Sequence, residues 1–116
     1  MRTISSEQIE QAVYELAKKA CLRLTPSCQR ALNTAAANEE KDSAAAFALR
    51  TVLQNADTAA KETMAVCQDT GYAVILAEIG QDVHIEGKFF SDAVNSGVRR
   101  AYEDFCFRKS ICDPIT

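Results

Sequence analysis

The chain has 116 residues, 47% hydrophobic and 25% charged, the balance of a soluble globular protein with sequence enough for one core. A net charge of -3 at pH 7 argues against a broad basic surface for nucleic acid. No window reaches the roughly 18 apolar residues of a membrane span, and residues 1–6 lack the apolar segment of a signal peptide, so no membrane partner and a cytoplasmic location are expected.

Residues 5–24 read as a helix. Ser5 and Gln8 fit a capping box, and Ile4 with Ile9 fits a hydrophobic staple. Ile9, Ala12, Val13, Leu16, Ala17 and Ala20 recur at the helical period. Thr25-Pro26 starts a second helix, with Thr25 as N-cap and Pro26 at its first position. Its face is Cys28, Ala31, Leu32 and Ala35, which makes Cys28 a small buried hydrophobe. The charged run 38–42 ends that helix. Asp42 or Ser43 then caps a third, alanine-rich helix, whose stripe runs from Ala45 through Leu49, Val52, Leu53 and Ala56 to Ala60 and fades near Thr63.

Residues 72–79 are almost all apolar and are expected to form a strand covered on both faces, stopped by Gly80. Val83-His84-Ile85-Glu86 alternates, so it reads as a second strand with His84 on the wetter side. Ser91 caps a last helix with Asp92 in its first turn; Val94, Val98, Ala101, Tyr102 and Phe105 line its buried face. The expected class is α+β, mainly helical, with about four helices and a small β-hairpin or sheet fragment. It is one domain: helical over 1–65, a loop with strands over 66–88, and a helix over 91–107.

The five cysteines are odd in number and none has C-x-x-C spacing, so neither a disulfide framework nor a zinc site of this chain alone is indicated. Two short stretches concentrate chemistry. Cys67-Gln68-Asp69-Thr70-Gly71 places a thiol, an amide, a carboxylate and a hydroxyl in one step between apolar runs. Gly71 can take a positive φ or admit another backbone. The stretch is either an ordinary polar turn or a loop bearing a site. Arg108-Lys109-Ser110 is either a helix end favoured by the dipole or an anion clamp.

The Cys67-Gln68-Asp69-Thr70-Gly71 loop, the segment 79–85, Gly97-Val98-Arg99-Arg100-Ala101-Tyr102 and the segment 107–114 together resemble the start of the alpha subunit or region of the iron-sulfur class I fumarate hydratases and tartrate dehydratases. The resemblance is specific from about Met64 onward. It implies a carbon-oxygen lyase (EC 4.2.1) of the tricarboxylic acid cycle type, hydrating fumarate to malate, or the same chemistry on tartrate to give oxaloacetate. The rival from another class is a non-catalytic assembly or binding module.

The family's [4Fe-4S] cluster is held by three cysteines. By this match Cys67 is the first, and the other two lie beyond this sequence, so the 116 residues alone are expected to be inactive and to carry no intact cluster. The same match makes Asp69 the proton-transfer residue. It makes Gln68, Arg108 and Ser110 substrate contacts, with Arg108 on a carboxylate, and leaves Thr70 to bond substrate or cluster sulfur, or only to fix the loop. Implied partners are a small dicarboxylate, the remainder of an alpha subunit and a beta subunit, in a homo- or hetero-oligomer.

Overall fold

A computed structural model describes residues 1–111. The elements are β1 (Arg2–Ser5), α1 (Ser6–Leu22), α2 (Pro26–Asn38), α3 (Ala44–Glu62), β2 (Val83–Glu86) and α4 (Phe90–Asp104). The class is α+β and mainly helical, as the residue pattern indicates. The chain divides into two compact units, one of Met1–Lys19 with the chain from Gln68 onward, the other of Ala20–Cys67. Cys112 and residues 113–116, which carry the end of the family-like segment, lie outside the described residues.

In the first unit β1 and β2 pair in parallel, Ile4 opposite Ile85 and Thr3 opposite His84. The sheet is therefore a two-stranded parallel fragment and not a hairpin. The N-terminal residues supply the partner that residues 72–79 were expected to supply. That stretch forms no strand. A strand needs a neighbour for its backbone N–H and C=O groups, and β2 takes β1 instead. Val74 and Leu76 stand 71% and 93% exposed, so the covered strand expected there is absent. His84 is exposed between half-buried Val83 and Ile85, as the alternation requires.

α1 opens on the capping box legible in the sequence. The Ser5 amide donates to Gln8 Oε1 at 3.0 Å, and the Gln8 amide donates to Ser5 Oγ at 3.3 Å. Two orphan amides of the first turn are thereby satisfied. α4 lies against residues 6–19 with its small residues inward: Ala93, Gly97 and Ala101 are buried, as is Val13. At Gly97 a Cβ would stand 2.5 Å from the Glu10 carbonyl oxygen and 2.9 Å from Val13 Cβ. Glycine is what lets the two backbones approach this closely.

Polar contacts flank the seam. Glu10 accepts from Lys88 and from Arg100, each at 3.2 Å. Arg100 also reaches Gln11 and lies over the Tyr14 ring, 4.2 Å from its centroid. Tyr14, Phe105, Phe107 and Tyr102 continue as a chain of ring contacts 5.5–6.0 Å apart. α4 starts one residue before the expected Ser91 cap, with Phe89 at the N-cap and no side-chain cap bond, and ends at Asp104. Asp92 does sit in its first turn, where its charge suits the dipole.

In the second unit α2 packs on α3. Thr25 Oγ1 accepts from the Cys28 amide at 3.2 Å and Ser43 Oγ from the Ala46 amide at 3.0 Å, which settles the third helix's cap on Ser43. α3 buries Ala46, Ala56 and Ala59. α2 buries no residue completely, and Cys28 is exposed. The expectation of a buried Cys28 fails because α2's Leu32 and Ala36, not Cys28, turn to the half-buried side. Thr63 ends α3 in the left-handed conformation at φ 56°. The following residues are tied down by Val66, whose amide donates to the Cys21 carbonyl at 2.9 Å and whose carbonyl accepts from Asn55 Nδ2 at 2.7 Å.

Candidate functional site

Residues 69–71 and 108–110 of the two chemistry-rich stretches meet in the first unit. Asp69, Thr70 and Gly71 form a turn at whose end Gly71 sits at φ +62° with open space where a Cβ would be. Of the two freedoms glycine offers, this position uses the positive φ. The turn is closed by the Asp69 side chain, whose Oδ1 accepts the Gly71 amide at 3.1 Å. An aspartate bonding the backbone two residues on is a local device for fixing a turn.

After α4 the chain reverses. Cys106 takes φ 52°, and the Phe107 amide donates to the Tyr102 carbonyl at 2.9 Å. Phe107 is buried, with its ring edge-on to Tyr102 at 5.5 Å. This anchor sets the segment 108–110 beside the turn.

Two crossing hydrogen bonds join them. Thr70 Oγ1 donates to the Arg108 carbonyl at 2.7 Å, and Ser110 Oγ donates to Asp69 Oδ1 at 2.5 Å. The partners are 38 and 41 residues apart in sequence. From α4, Tyr102 OH donates to the Thr70 carbonyl at 3.4 Å. Ser110 above all, then the Gly71 amide and the Arg108 charge, hold the Asp69 carboxyl below the usual carboxylate range. Asp69, Gln68, Arg108 and Lys109 are exposed, while Thr70 and Ser110 are half-buried.

The structure thus brings Asp69, Thr70, Arg108 and Ser110 together. Gln68 precedes them on the surface. Cys67 is exposed and belongs to the second unit. In that unit half-burial, with a smaller effect from Cys67, pushes the Cys21 thiol above its ordinary value. Among the described residues no group of three His, Cys, Asp or Glu side chains is placed to hold a metal ion. The described residues alone therefore do not fit a complete iron-sulfur site.

Tyr102 and Phe107 are the site-supporting residues that motif reading passed over. Tyr102 read as a buried-face position, and Phe107 only as part of the family-like segment. Their signal was the spacing of aromatics across the end of α4, which looks the same in an ordinary core.

A putative L(+)-tartrate dehydratase subunit alpha from Methanocaldococcus jannaschii is 26% identical over 110 residues, covering 94% of this chain and 38% of that protein. The chain thus spans well under half the length of this relative. No solved structure gives a significant match. The sequence model of the fumarate hydratase (Fumerase) family matches residues 10–116, almost the whole chain, and the chain belongs to that family.

Proposed function

We propose that this chain is part of an iron-sulfur hydro-lyase that interconverts a 2-hydroxy dicarboxylate and its dehydrated product. Fumarate and malate are the pair we favour. The observation that carries the reading is the meeting of Asp69 and Arg108 on one surface, held by the Thr70 and Ser110 hydroxyls, in a chain of the fumarate hydratase family.

Dehydration of malate breaks a C–O bond and a neighbouring C–H bond; hydroxide and the proton leave as water. The reaction needs a group that moves a proton and a cation that grips carboxylate. Asp69, exposed and held by the Gly71 amide and the Ser110 hydroxyl, serves as the proton-transfer group. Arg108 offers its guanidinium to a substrate carboxylate, which it can hold with two parallel hydrogen bonds. Gln68 has both a donor and an acceptor to offer the substrate.

Cys67 is proposed as one thiolate ligand of a [4Fe-4S] cluster whose other ligands lie outside these residues, in a complete protein with a further alpha portion and a beta subunit. Such a cluster would supply Lewis acidity toward a hydroxyl and a carboxylate of the substrate.

L-tartrate is the second reading, favoured by the printed name of the archaeal relative. The test is an anaerobic assay of the complete protein with malate and with L-tartrate in parallel, following fumarate absorbance and oxaloacetate separately. Turnover of malate supports the first reading and turnover of tartrate alone the second. Turnover of neither removes the hydro-lyase assignment.

A further inference from the structure

The roles of Thr70 and Ser110 follow from counting protons. A hydroxyl has one hydrogen to donate. The Thr70 hydrogen is committed to the Arg108 carbonyl at 2.7 Å, and the Ser110 hydrogen to Asp69 Oδ1 at 2.5 Å. The carboxylates of a dicarboxylate present only acceptors, so a hydroxyl binds them only by donating. Direct contact of either hydroxyl with a substrate carboxylate would break a bond that crosses between the two stretches.

Resting on the hydro-lyase reading above, we propose that Thr70 and Ser110 are positioning residues, a reciprocal clasp in which each stretch gives one hydroxyl to the other and so fixes Asp69 relative to Arg108. The clasp is reciprocal in chemistry as well as in place. The loop's hydroxyl holds the backbone under Arg108, and the far segment's hydroxyl holds the side chain of Asp69. Both ends are braced. Tyr102 OH reaches the Thr70 carbonyl from α4, and the Gly71 amide holds the same Asp69 oxygen that Ser110 does.

The two hydroxyls then control different kinetic parameters. Loss of the Ser110 bond loosens the proton-transfer group and lowers kcat. Loss of the Thr70 bond frees the backbone that aims the carboxylate-gripping guanidinium and raises KM.

Two experiments test this. In the 116-residue chain, Thr70→Val keeps the side-chain shape and removes the donor. The 15N shift of the Lys109 amide, which shares its peptide unit with the Arg108 carbonyl, should move in Thr70→Val and return in Thr70→Ser. In the complete enzyme, Ser110→Ala should lower kcat about 10- to 100-fold, the worth of one hydrogen bond to a charged group, with KM changed less than about twofold on that scale. Thr70→Val should show the reverse split, and Ser110→Thr and Thr70→Ser should recover most of the loss.

An unmoved Lys109 amide overturns the Thr70 half. A raised KM with unchanged kcat in Ser110→Ala overturns the other half, because it marks direct substrate contact. Equal loss of both parameters with a matching fall in melting temperature overturns the clasp in favour of a purely structural role. An unsubstituted complete enzyme without turnover sinks the hydro-lyase reading alone, since the Lys109 amide still decides the Thr70 bond.

Discussion

Gly97→Ala separates packing from propensity, because the two predict opposite signs. Gly97 lies inside α4, where alanine is intrinsically better than glycine by about 1 kcal/mol. On propensity alone the substitution stabilises. The packing says otherwise. The new methyl would stand 2.5 Å from the Glu10 carbonyl oxygen, 2.9 Å from Val13 Cβ and 3.1 Å from Val13 Cγ1. The nearest atom is backbone, inside α1, and cannot swing away as a side-chain tip can. Relieving the contact means moving α4 off residues 6–19, which also strains the Glu10–Arg100 ion pair. Overpacking of this kind costs about 1–3 kcal/mol in ordinary cores, and a backbone clash belongs at the upper end or beyond. After the propensity gain we expect a net loss of about 2 kcal/mol or more, or a drop in Tm of roughly 6–12 °C or more at this chain length. Gly80→Ala is the control: its Cβ would meet only Val83 Cγ2 at 3.8 Å, and its melting should stay within about 0.5 kcal/mol of the parent. Thermal melts at 222 nm, checked by urea titration, decide the matter. A Gly97→Ala chain that melts higher than its parent would refute the reasoning.

Three further outcomes follow from single residues. Ser5→Ala removes the acceptor for the Gln8 amide and should cost about 0.5–2 kcal/mol by urea titration, while Ser5→Thr should cost less. Tyr14 donates to Asp104 at 3.0 Å, and this bond above all raises the phenol above its ordinary value. The folded state thus binds the proton more tightly than the unfolded one. Stability from this group is complete below about pH 10 and is lost as pH rises from there through the raised value, so a Tyr14→Phe chain should show a shallower alkaline loss in urea midpoints. Half-burial and the raised thiol make Cys21 a poor nucleophile, so mass spectrometry after brief iodoacetamide treatment at pH 8 should find Cys28 alkylated before Cys21.

The parts of this fold that can be read from residues are the local ones. Ser5 with Gln8, Thr25 with Pro26, and Ser43 each act within four positions, so their side chains announce the helix starts directly. Gly71 leaves two possibilities open, a positive φ or a close backbone approach, and the structure takes the first. What depends on distant partners is hidden. Residues 2–5 carry little strand signal of their own and become β1 because β2, some eighty positions on, offers an edge. Residues 72–79 carry every strand signal and form none, because no described segment offers them a ladder. The α4 start is hidden for a different reason: Phe89 makes no cap bond, whereas Ser91 looks like one.

The candidate site divides the same way. The polar residues of 67–71 and 108–110 stand out by type, and their co-occurrence points to the family. That Thr70 and Ser110 spend their hydrogens on each other's segments is a fact of geometry, and no spacing reveals it. Composition is equally silent on Tyr102, whose hydroxyl looks no different from that of any aromatic on a buried helix face.

The most direct measurement of the central claim is the anaerobic malate dehydration rate of the complete protein carrying Asp69→Asn, which keeps the side chain's size and removes its capacity to take a proton. The account predicts a fall of about 100-fold or more in kcat, the worth of a positioned proton-transfer group, with an unchanged melting temperature. Parent-like turnover by Asp69→Asn would remove Asp69 from the reaction and contradict the account.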